Sequence, residues 1–127
     1  MKMDERRLYG TTDTSGDLTV NDLSAVSGFL YAIRWIDGDL ADSNTAVLST
    51  QDSEIAETIL TVGAGEGDDD KWYYPRDLVH DDACTALTGT AGGDRAMRIV
   101  DGTLRLVIAS GGSKKSGGCI VYIDKDI

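Results

Sequence analysis

Residues 27–36 read Ser-Gly-Phe-Leu-Tyr-Ala-Ile-Arg-Trp-Ile, and this stretch decides the fold class. Successive side chains of a β-strand point to opposite faces, so a strand here separates two sets of residues. We expect the more aromatic set to face the core, and it consists of Phe29, Tyr31, Ile33 and Trp35. The set on the opposite face is then Leu30, Ala32, Arg34 and Ile36.

The same alternation recurs along the chain in short segments separated by turn residues. Strands are predicted over residues 7–9, 17–20, 45–50, 55–62, 71–74, 96–100, 103–109 and 119–124. Asp101-Gly102 matches the two-residue loop of a hairpin, and residues 111–118 are expected to form a flexible hairpin loop. The pattern predicts one domain over residues 1–127 with a charged N-terminal arm over about residues 1–8. Its fold class is all-β, an antiparallel, jelly-roll-like β-sandwich of about eight short strands.

Composition excludes several classes of function. The chain has 127 residues and a net charge of −10, so a nucleic-acid phosphate backbone would be repelled. It contains no apolar run of the roughly 20 residues that a membrane span needs. Residues 1–7 (MKMDERR) are not followed by the apolar segment of a secretory signal. We therefore expect neither nucleic acid nor a membrane as a partner.

A few residues are of types that serve as catalytic or metal-binding groups in other proteins. His80 is the sole histidine, and with Cys84 it forms no established nucleophile pattern. Asp68–Asp70 supplies oxygen ligands for calcium but is more typical of a solvated acidic loop. Cys119 is expected to be a buried thiol, and a long-range disulfide to Cys84 stays open. We predict no catalytic residues, no cofactor and no metal.

Candidate binding residues lie in three places. Trp72, Tyr73 and Arg76 belong to the densest aromatic segment, and Trp, Tyr and Arg dominate interface energetics. The basic pairs Arg6-Arg7 and Lys114-Lys115 stand against an acidic background, so they would favour an acidic partner. The plain alternatives are core packing for the aromatic segment and solubility for the basic pairs.

Three segments together resemble a class of small virion proteins of tailed bacteriophages. They are GDLTVNDLSAVSGFLYAIRWIDGDL (16–40), ETILTVGAGEGDDDKWYYPRDLVHDDACTAL (57–87) and VDGTLRLVIASGGSKKSGGCIVYID (100–124). The resemblance covers most of the chain. Its most distinctive blocks are YYPR…VHD in the second segment and ASGG…KSGG in the third.

Within that class, the chain is most similar in size and fold to capsid decoration, or cement, proteins. The resemblance implies a β-domain that is made in the bacterial host cytoplasm, binds the outside of the capsid and stabilises the mature shell. It implies the major capsid protein as partner, and self-association as a dimer or trimer.

Three other functions stay open. The first is a head–tail connector, tail or spike component present in few copies. The second is a carbohydrate- or receptor-binding β-sandwich, suggested by residues 72–74 beside the acidic loop 66–70. The third is an enzyme built on His80 and Cys84.

Overall fold

The computed structural model describes residues 2–51, 56–78 and 95–125, and none of these residues is helical. All strand pairs are antiparallel, as the sequence predicts. Nine strands lie in the described residues: β1 (Met3–Thr11), β2 (Leu18–Asn21), β3 (Val26–Ile36), β4 (Thr45–Gln51), β5 (Ala56–Val62), β6 (Lys71–Tyr73), β7 (Arg76–Leu78), β8 (Arg95–Ala109) and β9 (Ser116–Asp124).

The strands follow the hydrogen-bonded order β1-β9-β3-β8-β4-β5, with β6 on β3 and with β2 and β7 on β8. This confirms the all-β prediction, whereas the jelly-roll arrangement stays a prediction. The expected N-terminal arm is wrong, because residues 3–11 pair with β9 along their whole length as the edge strand β1. No helix long and apolar enough to cross a membrane occurs in the described part of the chain.

Strand β8 links two groups of strands. Its residues 98–102 pair with β3, and its residues 103–109 pair with β4. The predicted hairpin at Asp101-Gly102 is therefore wrong, because the chain runs through these residues as it changes partners. Gly102 has φ +129°, a conformation that favours glycine, so the Asp-Gly pair marks an irregular point inside a strand.

One hydrophobic core receives side chains from both groups of strands. Trp35 on β3 and Leu104 on β8 are fully buried, as are Val121 and Ile123 on β9. Because the same cluster includes Leu48 of β4, the two groups are held together by shared apolar burial.

The predicted core face of β3 is half right. Ile33 and Trp35 are fully buried, but Tyr31 is 38% exposed, Phe29 is only half-buried and Leu30 faces the core instead. The pairing register with β9 shifts between Leu30 and Ala32, which is a β-bulge. A bulge adds one residue to a strand and so reverses which residues point inward beyond it.

The segment between β8 and β9 is not the predicted flexible hairpin loop, because these two strands lie on either side of β3 and do not pair with each other. Thr12 N–H donates to Lys115 O at 2.8 Å, and Ala41 N–H donates to Gly111 O at 2.9 Å. The Thr12 hydroxyl donates to Gly112 O at 2.6 Å. The segment is thus tied to two other turns of the molecule.

Candidate functional site

The candidate site lies on the outer surface of strands β1, β9, β3 and β6. Pairing registers align one residue from each strand in a row, in the order Arg7, Ile120, Arg34 and Trp72. Tyr122 lies two residues beyond Ile120 on β9 and therefore shares this surface. With Tyr74, which contacts Trp72, these side chains make what we call the aromatic–arginine face, defined as Arg7, Arg34, Trp72, Tyr74 and Tyr122.

The Trp72 ring has two aromatic neighbours on this face. The Trp72 and Tyr74 rings stack with centroids 6.4 Å apart and planes 16° apart. The Tyr122 ring lies 5.4 Å from the Trp72 ring. Trp72 is 50% exposed and Tyr74 is 55% exposed, so large apolar surface faces solvent. An exposed aromatic cluster of this kind is a candidate interaction surface.

The face rests on small apolar residues that are buried outside the main core. Ile120 is 3% exposed and Ala32 is 1% exposed, yet neither belongs to the main hydrophobic cluster. Ile120 is flanked in register by Arg7 and Arg34, whose long stems can cover it. The rings and guanidinium groups therefore lie over buried apolar side chains.

Arg34 is positioned by an aromatic ring and not by an acid. Its Cζ atom lies 5.7 Å from the centre of the Trp72 ring, within cation–π range. Within residues 2–51, 56–78 and 95–125, neither Arg34 nor Arg7 has a carboxylate oxygen within 4.0 Å. Two cationic groups that form no ion pair with the described residues thus lie on one surface of a strongly acidic chain.

The hydroxyl group of Tyr122 lies among charged side chains of the face. Burial raises the pKa of its hydroxyl, and the neighbouring Glu5 carboxylate raises it further. Arg34 and Arg7 lower the same pKa, because positive charge nearby favours the ionised phenol. The two arginines and Tyr122 therefore form one electrostatic neighbourhood.

Two of the residues predicted from sequence belong to this face, namely Trp72 and Arg7. Tyr73 does not, because it alternates with Trp72 and packs against the core. Arg76 is half-buried, and its guanidinium donates to Pro75 O at 2.8 Å and Leu30 O at 3.5 Å. The plain packing interpretation thus holds for Tyr73, and Arg76 caps backbone carbonyl groups.

Arg6 points to the other side of β1 from Arg7. It forms ion pairs of 2.9 Å with both Asp4 and Asp22, and it also donates to Ser24. These contacts tie the edge strand to the turn after β2. Arg6 therefore has a structural role in place of the predicted binding role.

Lys114 and Lys115 are exposed in the turn that precedes β9, outside the sheet rows that carry Trp72. The Lys114 N–H donates to Asp13 O, and the Lys115 N–H donates to the Thr12 hydroxyl. Their backbone is thus fixed while their side chains face solvent. The structure does not bring this basic pair to the aromatic–arginine face.

Three residues of the face were missed in the sequence, namely Arg34, Tyr74 and Tyr122. Tyr74 follows from the alternation that sets Trp72 and Tyr74 on one side. Arg34 and Tyr122 join Trp72 only through the pairing of β3 with β6 and β9, which one sequence does not show.

The acidic loop is ordered by hydrogen bonds. The Trp35 indole N–H donates to Gly67 O at 3.0 Å, and the Asp37 N–H donates to an Asp70 carboxylate oxygen at 2.9 Å. Burial raises the pKa of the Asp37 carboxyl, and the nearby carboxylates of Asp42 and Asp70 raise it further. Among the described residues, no group of three or more His, Cys, Asp or Glu is placed to hold a metal ion.

The remaining candidates have separate outcomes. Cys119 is a buried free thiol, as expected, and burial raises its pKa to about 12. His80 and Cys84 lie outside the described residues.

Comparison with known proteins gives little further information. No protein-family model and no curated protein matches the chain. Among solved structures, the chain is similar to the crystal structure of FLHE, with a TM-score of 0.38 and 13% identity. That likeness spans 97% of this chain and 98% of the other, and it is too distant to carry an argument about function.

Proposed function

We propose that the protein is a virion structural protein of a tailed bacteriophage. It binds the outside of the capsid and stabilises the mature shell. The observation that carries the proposal is the aromatic–arginine face, an exposed surface of the residue types that dominate protein–protein binding energy. The resemblance to small phage virion proteins supplies the kind of partner, which is the major capsid protein.

The position of the family-like blocks supports this proposal. Tyr74 belongs to the block YYPR…VHD and Trp72 directly precedes it, and both are among the most exposed apolar side chains of the described residues. The second block contains Lys114 and Lys115, which also face solvent. Packing in the protein's own core does not account for aromatic side chains that are half exposed. A binding surface that a partner covers does account for them.

A modest binding face is sufficient for shell stabilisation. A capsid offers many equivalent sites, so weak individual contacts add up over the lattice. A copy that binds only the mature shell shifts the equilibrium toward it by RT ln(1 + [L]/Kd). This shift is about 2.7 kcal/mol per site when the protein is at 100 times its Kd.

Copy number in purified virions tests the proposal. Quantitative mass spectrometry should give one copy per major capsid subunit, or a simple fraction such as one third. A dozen copies or fewer would overturn the decoration role and favour a connector, tail or spike component. Absence from the virion would overturn the proposal altogether.

A binding assay on purified shells then tests the face. Trp72→Ala should weaken binding by about thirtyfold, the effect of losing a hot spot of about 2 kcal/mol. Val107→Ala is the control, because Val107 is 40% exposed on the part of β8 that pairs with β2 and β4. Equal effects of the two substitutions would refute the assignment of the face.

The carbohydrate-binding alternative uses the same rings. A glycan array with and without calcium separates it from the capsid proposal. Binding that depends on Trp72 and is blocked by a free sugar would favour this alternative.

A further inference from the structure

The guanidinium group of Arg34 is arranged as an acceptor site for a carboxylate. Its Cζ atom lies over the Trp72 ring, 5.7 Å from the ring centre. A cation–π contact of this kind uses none of the N–H groups as hydrogen-bond donors to an acceptor atom, so they can still bind a ligand. These donors match the two oxygens of a carboxylate in a bidentate pair. No carboxylate of the described residues occupies this position within 4.0 Å.

Arg7 provides a second site at a defined spacing. Both Arg7 and Arg34 pair with Ile120, one from each side of β9. Adjacent strands lie about 4.8 Å apart, so the two arginine backbones are about 10 Å apart across the sheet. A segment in the polyproline II conformation has three residues per turn and advances about 3.1 Å per residue, so its residues i and i+3 lie on the same side about 9 Å apart, which matches this spacing.

The surface between and beside the arginines is apolar. Ile120 lies between them, Tyr122 lies next to them, and the Trp72 and Tyr74 rings extend the surface beyond Arg34. Glu5 lies on the same surface beside Tyr122 and limits its positive charge. The face therefore suits a ligand with two negative groups and apolar side chains, and it does not suit a uniform polyanion.

We propose that the aromatic–arginine face binds an acidic segment of a partner protein in the polyproline II conformation, with two carboxylates three residues apart and apolar side chains between them. One carboxylate pairs with Arg34 and the other with Arg7, while the apolar side chains lie on Ile120 and the aromatic rings. The inference deepens the proposed function, on which it rests for the partner's identity; its chemistry rests on the face alone. A net charge of −10 argues against nucleic acid as the occupant.

The direct test is an NMR titration of the full chain with the peptide acetyl-GELVEG-amide. The chain has two tryptophans, so two indole N–H resonances report on it. The Trp72 signal should shift in a saturable way. The Trp35 signal should stay still, because that indole is buried and bonded to Gly67 O.

Charge variants on both sides make the test specific. Replacing both glutamates of the peptide by glutamine should weaken binding by about tenfold or more, because charge-assisted hydrogen bonds are lost. Arg34→Gln and Arg7→Gln should each weaken binding several-fold, and the effects should shrink as salt rises from about 0.05 to 0.5 M. Arg105→Gln is the matched control and should leave binding unchanged, since Arg105 pairs with Asn21 on another part of the sheet.

Three results would overturn the inference. They are the absence of any saturable Trp72 shift with the acidic peptide, equal binding of the glutamine peptide, and tighter binding of a single-stranded oligonucleotide than of the acidic peptide. The double variant Arg7→Gln/Arg34→Gln separates this inference from the proposed function. If purified shells bind the double variant as tightly as they bind wild type, the inference is refuted and the proposed function is not. If the wild-type protein binds the peptide but not the shells, the capsid proposal is refuted and the inference is not.

Discussion

The two tryptophans give a matched pair of substitutions with opposite expected outcomes. Trp35 is fully buried and its indole N–H donates to Gly67 O at 3.0 Å, whereas Trp72 is half exposed on the outer surface. The same chemical change, Trp→Phe, therefore removes a buried hydrogen bond at one position and only exposed ring surface at the other.

The magnitude for Trp35→Phe follows from two losses. The hydrogen bond is worth about 1 kcal/mol, and Gly67 O keeps a second donor, the Asn44 side-chain amide at 3.3 Å, so no buried acceptor is left alone. The smaller ring leaves space in the core that costs about another 1 kcal/mol. We expect a destabilisation of about 2 kcal/mol, against about 0.5 kcal/mol or less for Trp72→Phe.

Urea unfolding followed by far-ultraviolet circular dichroism measures both values without relying on tryptophan emission. With a slope of about 2 kcal/mol per M, Trp35→Phe should lower the midpoint by about 1 M, and Trp72→Phe should barely move it. Hydrogen exchange adds a local measure. The loop amide N–H groups of Gly65 and Glu66, which donate to Asp42 O and Gly63 O, should exchange faster in Trp35→Phe. Equal midpoints for the two variants would refute the account of Trp35 as the residue that holds the acidic loop.

Three further predictions concern buried groups and close contacts. The pKa of Cys119 rises from an ordinary 9.0 to about 12 on folding, so wild type should lose stability relative to Cys119→Ala as pH rises from 9 toward 12; parallel pH profiles would contradict this. The pKa of Asp37 is raised above 3.8, so Asp37→Asn should be more stable than wild type at pH 7, with the gain vanishing below about pH 4 in thermal melts. A Cβ at Gly28 would lie 2.6 Å from Asp124 O, so Gly28→Ala should lower the free energy of unfolding by about 1–3 kcal/mol, as measured in urea. The control is Gly63→Ala, whose Cβ would meet only the Glu66 side chain at 3.4 Å, and it should leave stability nearly unchanged.

Most strands could be predicted from the sequence because each has local alternation and turn residues at its ends. The strand predicted over 45–50 is observed as Thr45–Gln51, and the one predicted over 119–124 is observed as Ser116–Asp124. Asp101-Gly102 misled the prediction because a hairpin loop and an irregular strand position both favour glycine with positive φ. Which of the two occurs depends on the partners of β8, and partner choice is a long-range property.

The charged residues of β1 misled the prediction for a similar reason. Residues 1–7 are mostly polar, which is typical of an arm, yet residues 3–7 begin the edge strand β1, whose Leu8 is fully buried. Its inward-facing charges are neutralised locally, since Arg6 pairs with Asp4 and Asp22. Inward charges are a recognised protection of edge strands against unwanted pairing, so polarity at a sheet edge does not argue against a strand.

The bulge in β3 connects the core with the candidate binding face. Before the bulge, Gly28 and Leu30 face inward; an unbroken alternation would direct Arg34 inward with them and would direct Trp35 to the surface. The register shift between Leu30 and Ala32 reverses this arrangement. Trp35 then enters the core and reaches Gly67 O, while Arg34 emerges beside Trp72. A single added residue thus prevents an unpaired charge from being buried and also places the guanidinium group on the aromatic face, as expected where a bulge re-aims a side chain.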